Sequence, residues 1–382
     1  MDVTDLRIAL FSGNYNITLD GANKALNRLA EYLLRRGASL RVYSPTSREP
    51  AFAPTGDLVS LPAVPIPGRS EYRIPLGLSG AVKRDLEDFA PNVLHIASPD
   101  FSSRAAVGWA KARGIAVLAS VHTRFETYPR YYNLGFIEPV VKRYLRNIYR
   151  RCDALVTPSQ SMVDVLERQG MNDDVSIWSR GVDRTIFDPA RRDLAWRRGL
   201  GIADDAVAIA FLGRLVMEKG LDMFAESIAE LRKRGVAHQV LVIGDGPARG
   251  WFEKALPGAI FVGFQGGKAL GKALASADVF FNPSVTETFG NVTLEAMASG
   301  LPVVAAGATG STSLVADGRT GVIVADGCAS AYAAALARYC QDPALRAAHG
   351  RAGEAKSRDY SWDAINQAVV DTYLRISNPR QD

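Results

Sequence analysis

The stretch VFFNPSVTETFGNVTLEAMASGLPVVA, residues 279–305, contains a complete strand–helix–strand unit. Val279–Phe281 is an apolar run of strand length, and Pro302–Ala305 is a second run of the same kind. Between them the chain has helical character from Asn291 to Ser299, and Gly300 is a residue suited to end that helix. Two strands joined by a helix are typical of parallel sheets in α/β proteins.

The same alternation continues on both sides of this unit in the second half of the chain. Further strands are predicted at Ala206–Leu212, Gln239–Ile243, Ala259–Val262 and Gly321–Val324. Further helices are predicted near residues 220–234, 248–256, 267–276, 330–340 and 343–356. We therefore expect one doubly wound Rossmann-like domain over residues 183–361.

The first half shows the alternation again. Strands are predicted at Arg7–Phe11, Leu40–Tyr43, Val93–Ile96, Ala116–Val121 and Ala154–Thr157. Helices are predicted at Ala22–Arg36 and near residues 81–90, 102–112, 136–150 and 160–169. The proline-rich segment Pro54–Pro75 interrupts this rhythm, and we expect an irregular excursion there with at most a short strand pair.

These patterns predict an α/β protein with two doubly wound domains that face each other across a cleft. The first domain spans residues 1–182, and the last stretch, 362–382, is expected to pack back on it through a helix at Trp362–Ile376. Ligands of such sheets bind outside the carboxyl ends of the strands. The chemistry is therefore expected in loops that follow strands.

Length and composition agree with this organisation. The 382 residues suit two or three domains, and 47% hydrophobic with 22% charged residues is ordinary globular composition. A net charge of +5 suits phosphate-bearing ligands or an anionic membrane surface and does not by itself indicate nucleic-acid binding. The opening MDVTDLRIAL has no signal-peptide pattern, and no run of membrane-spanning character occurs. We expect a cytoplasmic protein whose three cysteines stay reduced.

Two common phosphate-binding patterns are not met. The loop Gly13–Gly21 is not G-x-G-x-x-G, which disfavours a dehydrogenase. The segment GFQGGKA, residues 263–269, is one residue short of a P-loop and has Ala269 where a hydroxyl is needed for Mg²⁺.

The segment FLGRLVMEKG places Arg214 and Lys219 after a buried strand, in a loop that opens a helix at Gly220. Two cations beside a helix start suit a pyrophosphate, because the side chains and the free backbone amides all favour negative charge. Taken alone, an arginine and a lysine in a loop are as readily explained as solvated surface.

The second candidate element surrounds the start of the predicted helix at Asn291. The amides of Phe289–Val292 form an anion site, with Gly290 allowing close approach to the backbone. Glu287 precedes this helix start and Glu295 lies about one turn into the helix. One carboxylate suits sugar hydroxyls and the other a ribose diol, although each is also explained as an exposed acid or a partner of the helix dipole.

The Glu287…Glu295 spacing, followed by EAMASGLPVVA, resembles the donor-site signature of glycosyltransferase family 4, whose members are retaining enzymes of the GT-B fold. GRLVMEKG resembles the pyrophosphate loop of that family, and SGNYNITLDG and SVHTRFETYPRYY match its N-terminal half. The resemblance covers almost the whole chain. WSRGVD, TETFGNVTLEAMASG and HTRFETY are most similar to the GDP-mannose-dependent α-mannosyltransferase branch, and sulfoquinovosyl- and glucosyltransferases share much of the pattern.

The resemblance implies a role for each matched position. The residues it makes catalytic are His122, Glu287, Arg214 and Lys219. The residues it places at the donor are Gly13, Gly21, Arg214, Lys219, Val262, Glu287, Phe289, Gly290, Asn291, Val292 and Glu295. The residues assigned to the acceptor are Asn16, Asp20, Tyr128, Tyr131 and Tyr132, although a tyrosine cluster is also ordinary packing.

The reaction implied is transfer of a hexose, with mannose favoured, from a nucleotide-diphosphate sugar to a lipid or glycan acceptor. Retention is thought to proceed by same-face attack, so no nucleophile is assigned, and without a D-x-D motif no metal or cofactor is expected. Three alternatives stay open. They are a UDP-sugar-dependent glucosyl- or sulfoquinovosyl-type transferase, a nucleotide-sugar epimerase or sugar phosphorylase of similar fold, and a non-catalytic donor-binding partner.

A basic helical stretch leaves two further interpretations open. Its cations are Lys142, Arg143, Arg146, Arg150 and Arg151, interleaved with apolar and aromatic residues. It is explained equally by contact with an anionic membrane that delivers a lipid acceptor and by an ordinary solvated helix face. The first interpretation would place the protein at the inner face of the membrane.

Overall fold

The structure is a computed structural model that describes residues 1–17, 21–66, 69–127, 135–286, 289–325 and 327–378. The chain divides into two compact units. The first contains residues 1–179 and the chain from Trp362 onward, and the second contains residues 180–361. The boundary therefore falls three residues before the position chosen from the sequence.

The first unit is built on a parallel sheet with the strand order β3-β2-β1-β6-β7-β8-β9. The strands of this unit are β1 Arg7–Phe11, β2 Ser39–Ser44, β3 Asp57–Ser60, β4 Ala63–Ile66, β5 Arg69–Pro75, β6 Val93–Ile96, β7 Ala116–Ser120, β8 Ala154–Thr157 and β9 Val175–Ile177. The central strands β6 and β8 are buried along their whole length. Each strand is apolar apart from one buried polar residue, His95 in β6 and Thr157 in β8, as expected where helices cover both faces of the sheet.

The second unit has a parallel sheet with the order β12-β11-β10-β13-β14-β15. Its strands are β10 Ala208–Leu212, β11 Gln239–Ile243, β12 Ile260–Phe261, β13 Val279–Asn282, β14 Val303–Ala306 and β15 Gly321–Val324. An aromatic cluster centred on Phe224 fills one face, where Phe224 stacks on Phe281 with ring centroids 4.8 Å apart.

The helices are numbered here along the described chain. They are α1 Gly21–Arg35, α2 Gly80–Phe89, α3 Phe101–Lys111, α4 Glu138–Tyr149, α5 Gln160–Arg168, α6 Leu194–Gly199, α7 Leu221–Lys233, α8 Arg249–Ala255, α9 Gly267–Ala275, α10 Asn291–Ala298, α11 Thr309–Leu314, α12 Ala329–Gln341, α13 Pro343–Ser357 and α14 Trp362–Ser377. The last helix, α14, packs against α1, β7 and β8 of the first unit.

The elements that sequence reasoning missed are short or irregular. The proline-rich segment holds the expected strand pair, β4 with β5, and also β3, which joins the large sheet beside β2. Helices α6 and α11 have six residues each, too few to show a helical period, and α11 is rich in Ser and Thr, which are weak helix formers.

Each large sheet has one point at which its strand order reverses. In the first unit it lies between β1 and β6, and in the second it lies between β10 and β13. Loops that follow two such strands diverge to opposite sides and leave a crevice at the carboxyl edge of the sheet, where ligands of doubly wound proteins bind. The loops that follow β1 and β6 in the first unit, and β10 and β13 in the second, are therefore the candidate ligand-binding segments.

Candidate functional site

In the second unit, the loops after β10 and β13 lie against each other. Gly220 adopts the left-handed region with φ of 74°, and an added Cβ there would lie 3.1 Å from the carbonyl oxygen of Pro283. The Thr286 hydroxyl donates to the carbonyl oxygen of Glu218 over 3.2 Å. Two segments about 65 residues apart in sequence thus share the switch point of this sheet.

The turn after β11 supports the loop that carries Arg214. The Leu215 amide donates to the carbonyl oxygen of Asp245 over 2.9 Å. An added Cβ at Gly244 would overlap the carbonyl oxygen of Gly213, and one at Gly246 would lie 2.5 Å from that of Leu215. The glycines of the GDGP turn are therefore needed because the backbone of this loop lies directly on them.

Arg214 and Lys219 are the two cations of this loop. Arg214 is exposed, and within the described chain its guanidinium makes no hydrogen bond or ion pair. Lys219 is half-buried and lies at the end of the short 3₁₀ turn Met217–Lys219, directly before Gly220 and helix α7. Gly220 caps that helix without a side-chain hydrogen bond. The positive helix end and the two cations favour binding of an anion.

Helix α10 begins at the same edge of the sheet. Gly290 is its N-terminal cap with φ of 93°, a conformation that favours glycine. The Phe289 ring is buried against Tyr360, with centroids 6.0 Å apart. The Asn282 side-chain amide at the end of β13 donates to the Thr293 hydroxyl over 3.2 Å. The helix start is thus held in place from both sides, with Asn291 and Val292 half-buried at its opening.

Only one of the two predicted carboxylates, Glu295, lies within the described residues. Glu295 is half-buried in the second turn of α10. Glu287 lies outside the described residues. Val262 is half-buried and directly follows β12, at the same edge of the sheet but two strands from the switch point, and its carbonyl oxygen accepts from the Gln265 side chain over 2.7 Å.

The switch point of the first unit has Gly13 on one side and Asp100 on the other. An added Cβ at Gly13 would lie 3.2 Å from the Ser98 hydroxyl and 3.4 Å from Oδ2 of Asp100. Asp100 caps helix α3 by accepting from the Ser103 amide over 2.8 Å. Burial raises the pKa of this carboxyl above its ordinary value. Sequence reasoning missed Asp100, which a search for acids directly after predicted strands would have found.

Four of the five predicted acceptor residues lie outside the described residues. They are Asp20, Tyr128, Tyr131 and Tyr132. Asn16 is described, and its side chain is 3% exposed. Its amide nitrogen donates to the carbonyl oxygen of Phe52 over 3.0 Å, which braces the loop after β1. Gly21, assigned to the donor, is the first residue of α1.

His122 follows β7, at the same sheet edge as Gly13 and Asp100 because β1, β6 and β7 are successive neighbours. Its side chain is buried, with 9% exposed. The imidazole packs against the indole of Trp178 with ring centroids 5.1 Å apart. Its strand-end position is the one that the sequence predicted.

Most cations of the basic stretch in α4 have partners within the first unit. Lys142 pairs with Glu138 over 2.8 Å, and Arg146 and Arg150 donate to the carbonyl oxygens of Gln169 and Gly170. These contacts satisfy carbonyl groups just beyond helix α5, as basic side chains commonly do. Within the described ranges, no helix combines the length and apolarity needed to cross a membrane.

Known proteins with similar sequence and structure agree on one class. The family model for glycosyl transferases group 1 matches residues 206–342, and that for glycosyltransferase family 4 matches residues 19–185. The structure of sucrose-phosphate synthase from Thermosynechococcus elongatus superposes with a TM-score of 0.78 at 20% identity, covering 97% of this chain and 98% of that one. The fold is accordingly GT-B, which is built from two Rossmann-like domains.

Two relatives extend the match over nearly the whole chain. A GDP-mannose-dependent alpha-mannosyltransferase of Mycolicibacterium smegmatis is 30% identical over 382 residues, covering 98% of this chain and 99% of the relative. A sulfoquinovosyl transferase of Arabidopsis thaliana is 29% identical, covering 95% of this chain and 72% of that one. The chain belongs to glycosyltransferase family 4, and it is a glycosyltransferase.

Proposed function

We propose that this chain transfers a hexose, with retention of configuration, from a nucleotide-diphosphate sugar to a lipid or glycan acceptor, and that mannose is the favoured hexose. The observation that carries the proposal is the meeting of two loops at the β10/β13 switch point. One brings Arg214 and Lys219, and the other leads to the helix start at Gly290. This arrangement suits two linked phosphates.

The cations act on the leaving group. As the bond between the sugar and the diphosphate breaks, negative charge grows on the departing phosphate oxygen. Fixed positive groups at that position stabilise the transition state more than the bound donor. Arg214, which is exposed and has no partner within the described chain, is available for this contact. We assign Lys219 to the same diphosphate.

The remaining roles follow the family resemblance. Glu287 and the amides of Phe289–Asn291 would hold hydroxyls of the donor sugar, Glu295 the ribose diol, and His122 the sugar near its reacting carbon. The acceptor hydroxyl attacks that carbon on the face from which the diphosphate leaves. A new carbon–oxygen bond replaces the bond to phosphate, and the proton of the acceptor passes to the departing phosphate oxygen.

The donor distinguishes two candidate functions. The mannosyltransferase relative supports GDP-mannose, while the sulfoquinovosyl transferase relative supports the sulfoquinovosyl-type alternative, for which the sequence resemblance implies a UDP-sugar. Membership of the glycosyltransferase family favours glycosyl transfer over the epimerase, phosphorylase and non-catalytic alternatives. Each donor is supplied to the purified chain, with a lipid extract as the source of acceptor. Release of GDP or of UDP, measured in parallel with formation of a new glycoside, decides between the two donors.

The same assay tests the site. Lys219→Ala and Glu287→Ala should each lower turnover by two or more orders of magnitude, about 3 kcal/mol in transition-state stabilisation, and leave thermal unfolding unchanged. Lys233→Ala is the matched control, because that lysine lies at the end of α7 with its side chain 76% exposed, and it should retain wild-type turnover. Near wild-type turnover in both site variants would refute the assignment.

We further propose that the reaction needs no metal ion or cofactor, since the two cations can offset the charge of the diphosphate. The described residues contain no group of three or more His, Cys, Asp or Glu side chains arranged to hold a metal ion. Turnover should be unchanged after treatment with EDTA. Full loss that Mg²⁺ or Mn²⁺ reverses would contradict the proposal.

A peripheral membrane contact is proposed for the start of helix α4. Phe136 is 77% exposed and Val140 is 69% exposed, one helical turn apart, and Arg143 is exposed beside them. Apolar side chains flanked by a cation suit an anionic lipid surface. Phe136→Ser together with Val140→Ser should abolish co-sedimentation with phosphatidylglycerol vesicles at low salt. The absence of wild-type binding under those conditions would remove this proposal.

A further inference from the structure

The imidazole of His122 rests on a fully buried aromatic ring. Trp178 has no exposed surface, and its ring centroid lies 5.1 Å from that of His122, with the planes inclined by 58°. The indole therefore occupies the space into which the imidazole would otherwise rotate. A side chain packed against a rigid wall populates fewer rotamers than one facing solvent.

The backbone next to His122 is held by a second contact. The Thr157 hydroxyl, at the end of β8, donates to the carbonyl oxygen of Val121 over 3.0 Å. The backbone amide of Trp178 donates to the carbonyl oxygen of Thr157 over 2.8 Å. The ends of β7, β8 and β9 are thus tied together around the position of His122.

The orientation of the indole is set by helix α14. The Trp178 ring N–H donates to Oδ1 of Asn366 over 3.3 Å, and the Asn366 side-chain amide donates to the carbonyl oxygen of Arg28 in α1 over 3.2 Å. Asn366 is 1% exposed. A buried amide is costly unless both its ends are bonded, and an apolar residue would pack in the same volume. Both ends of this side chain are used.

We propose that Asn366 and Trp178 are positioning residues, through which helix α14 holds His122 in the orientation required for glycosyl transfer. This inference rests on the role proposed above for His122. Neither residue needs to touch a substrate. Their effect reaches the reaction through the imidazole, and misplacing a substrate-contacting group by about 1 Å can cost roughly 100-fold in rate.

The same helix supplies a matched control. Tyr373, two turns further along α14, forms a 2.6 Å hydrogen bond with Nδ1 of His95 and is fully buried. Tyr373→Phe removes a buried hydrogen bond of the same kind from the same helix. His95 also packs edge-on against Trp178, with ring centroids 6.2 Å apart. Because Tyr373→Phe keeps the ring of Tyr373 and leaves the His95 and Trp178 side chains unchanged, we expect it to lower stability without loss of positioning.

The experiment compares Trp178→Leu, Trp178→Phe, Asn366→Leu and Tyr373→Phe in the full chain. We expect Trp178→Leu to lower kcat roughly 10- to 100-fold with the KM for donor within about twofold of wild type, and Asn366→Leu to lower kcat by a smaller factor. Trp178→Phe keeps an aromatic wall but lacks the ring N–H that donates to Asn366, so its kcat should fall less than that of Trp178→Leu and about as far as that of Asn366→Leu. Tyr373→Phe should lower the melting temperature and leave kcat unchanged.

A spectroscopic measurement separates positioning from stability. The chain has four histidines, so the imidazole carbon–proton resonances are few, and the His122 pair is identified by its loss in His122→Gln. These resonances should move in Trp178→Leu and Asn366→Leu and stay in place in Tyr373→Phe. If Trp178→Leu does not fold, Asn366→Leu carries the test alone.

Wild-type kcat with unmoved His122 resonances in folded Asn366→Leu, or wild-type kcat in folded Trp178→Leu while His122→Gln loses turnover, would overturn the inference. If His122→Gln keeps wild-type turnover while the His122 resonances still move in Trp178→Leu and Asn366→Leu, only the function proposed for His122 is overturned.

Discussion

Two adjacent arginines show how strongly the contribution of a side chain to stability depends on its surroundings. The side chain of Arg197 is fully buried and pairs with Asp278 over 2.8 Å, while that of Arg198 is 59% exposed and pairs with Asp204 over 2.7 Å. Arg197 also donates to the carbonyl oxygens of Ser276 and Ala206. The two ion pairs differ in length by only 0.1 Å, but only one holds helix α6 against the rest of the second unit through buried contacts.

Removing each arginine should therefore give very different results. Arg197→Met removes the buried partner of Asp278, which keeps its pair with Arg192 and its hydrogen bond from the Ala208 amide. The variant should therefore lower the free energy of unfolding by about 3 kcal/mol, the low end for a broken buried pair. Arg198→Met removes a solvated pair and should change it by less than about 1 kcal/mol. Urea unfolding of both variants measures the difference, and equal effects would show that Arg197 is not a structural anchor.

At the scale of an element, the turn after β11 decides where Arg214 can lie. Its two glycines accept the backbone of the Gly213–Leu215 segment, and Gly244 has φ of 143° as well as no room for a Cβ. The glycine in helix α8, Gly250, has neither constraint, since open space surrounds its Cα. The backbone therefore requires glycine at position 244 and does not require it at position 250.

Alanine substitution should separate these two glycines. Gly244→Ala forces the turn and the Arg214 loop apart, so we expect a loss of about 2 kcal/mol or more in stability and a higher KM for donor. Gly250→Ala should stabilise α8 by about 0.5–1 kcal/mol without affecting KM. Thermal unfolding and donor kinetics on the pair check this. An unchanged KM for donor in folded Gly244→Ala would show that the turn does not influence donor binding.

At the scale of the whole molecule, the first unit is completed by the far end of the chain. Helix α14 returns to it and covers His95, which is fully buried and bonded to Tyr373. Burial lowers the pKa of His95 from its ordinary value of 6.5 to about 3. Between about pH 3 and 6.5 the imidazole therefore stays neutral in the folded chain, whereas an unfolded histidine would gain a proton.

This difference makes folding dependent on pH. Between pH 3 and 6.5 the unfolded chain binds the extra proton, so the stability conferred by the neutral His95 is complete above 6.5 and falls as the pH drops towards 3. His95→Gln should reduce the slope of unfolding free energy against pH in this window by up to about 1.4 kcal/mol per unit.

Tyr373→Phe is the control for this experiment, because it weakens the same packing and leaves His95 to titrate. It should lower stability at every pH and keep the wild-type slope. Chemical unfolding at a series of pH values from 4 to 7.5 provides the measurement. Identical slopes for wild type and His95→Gln would mean that this histidine does not contribute to the pH dependence.

Much of the architecture and the class of chemistry followed from local pattern. Apolar runs of four or five residues marked the central strands, and β6, β8, β11 and β15 have the bounds that their sequences predicted. Two short helices and the edge strands β3 and β9 were missed, because segments of so few residues show no period. The glycosyltransferase family was predicted correctly, since its motifs place charged and glycine residues at strand ends.

The sequence by itself determined the alternation of strands and helices and the two doubly wound sheets, because these depend on neighbours within a few positions. Only the tertiary structure decided which residues from distant segments contact each other in the interior. Trp178 and Asn366 lie 188 residues apart, and Arg197 and Asp278 lie 81 apart. Such contacts arise from packing between distant segments, and no local period of the chain records them.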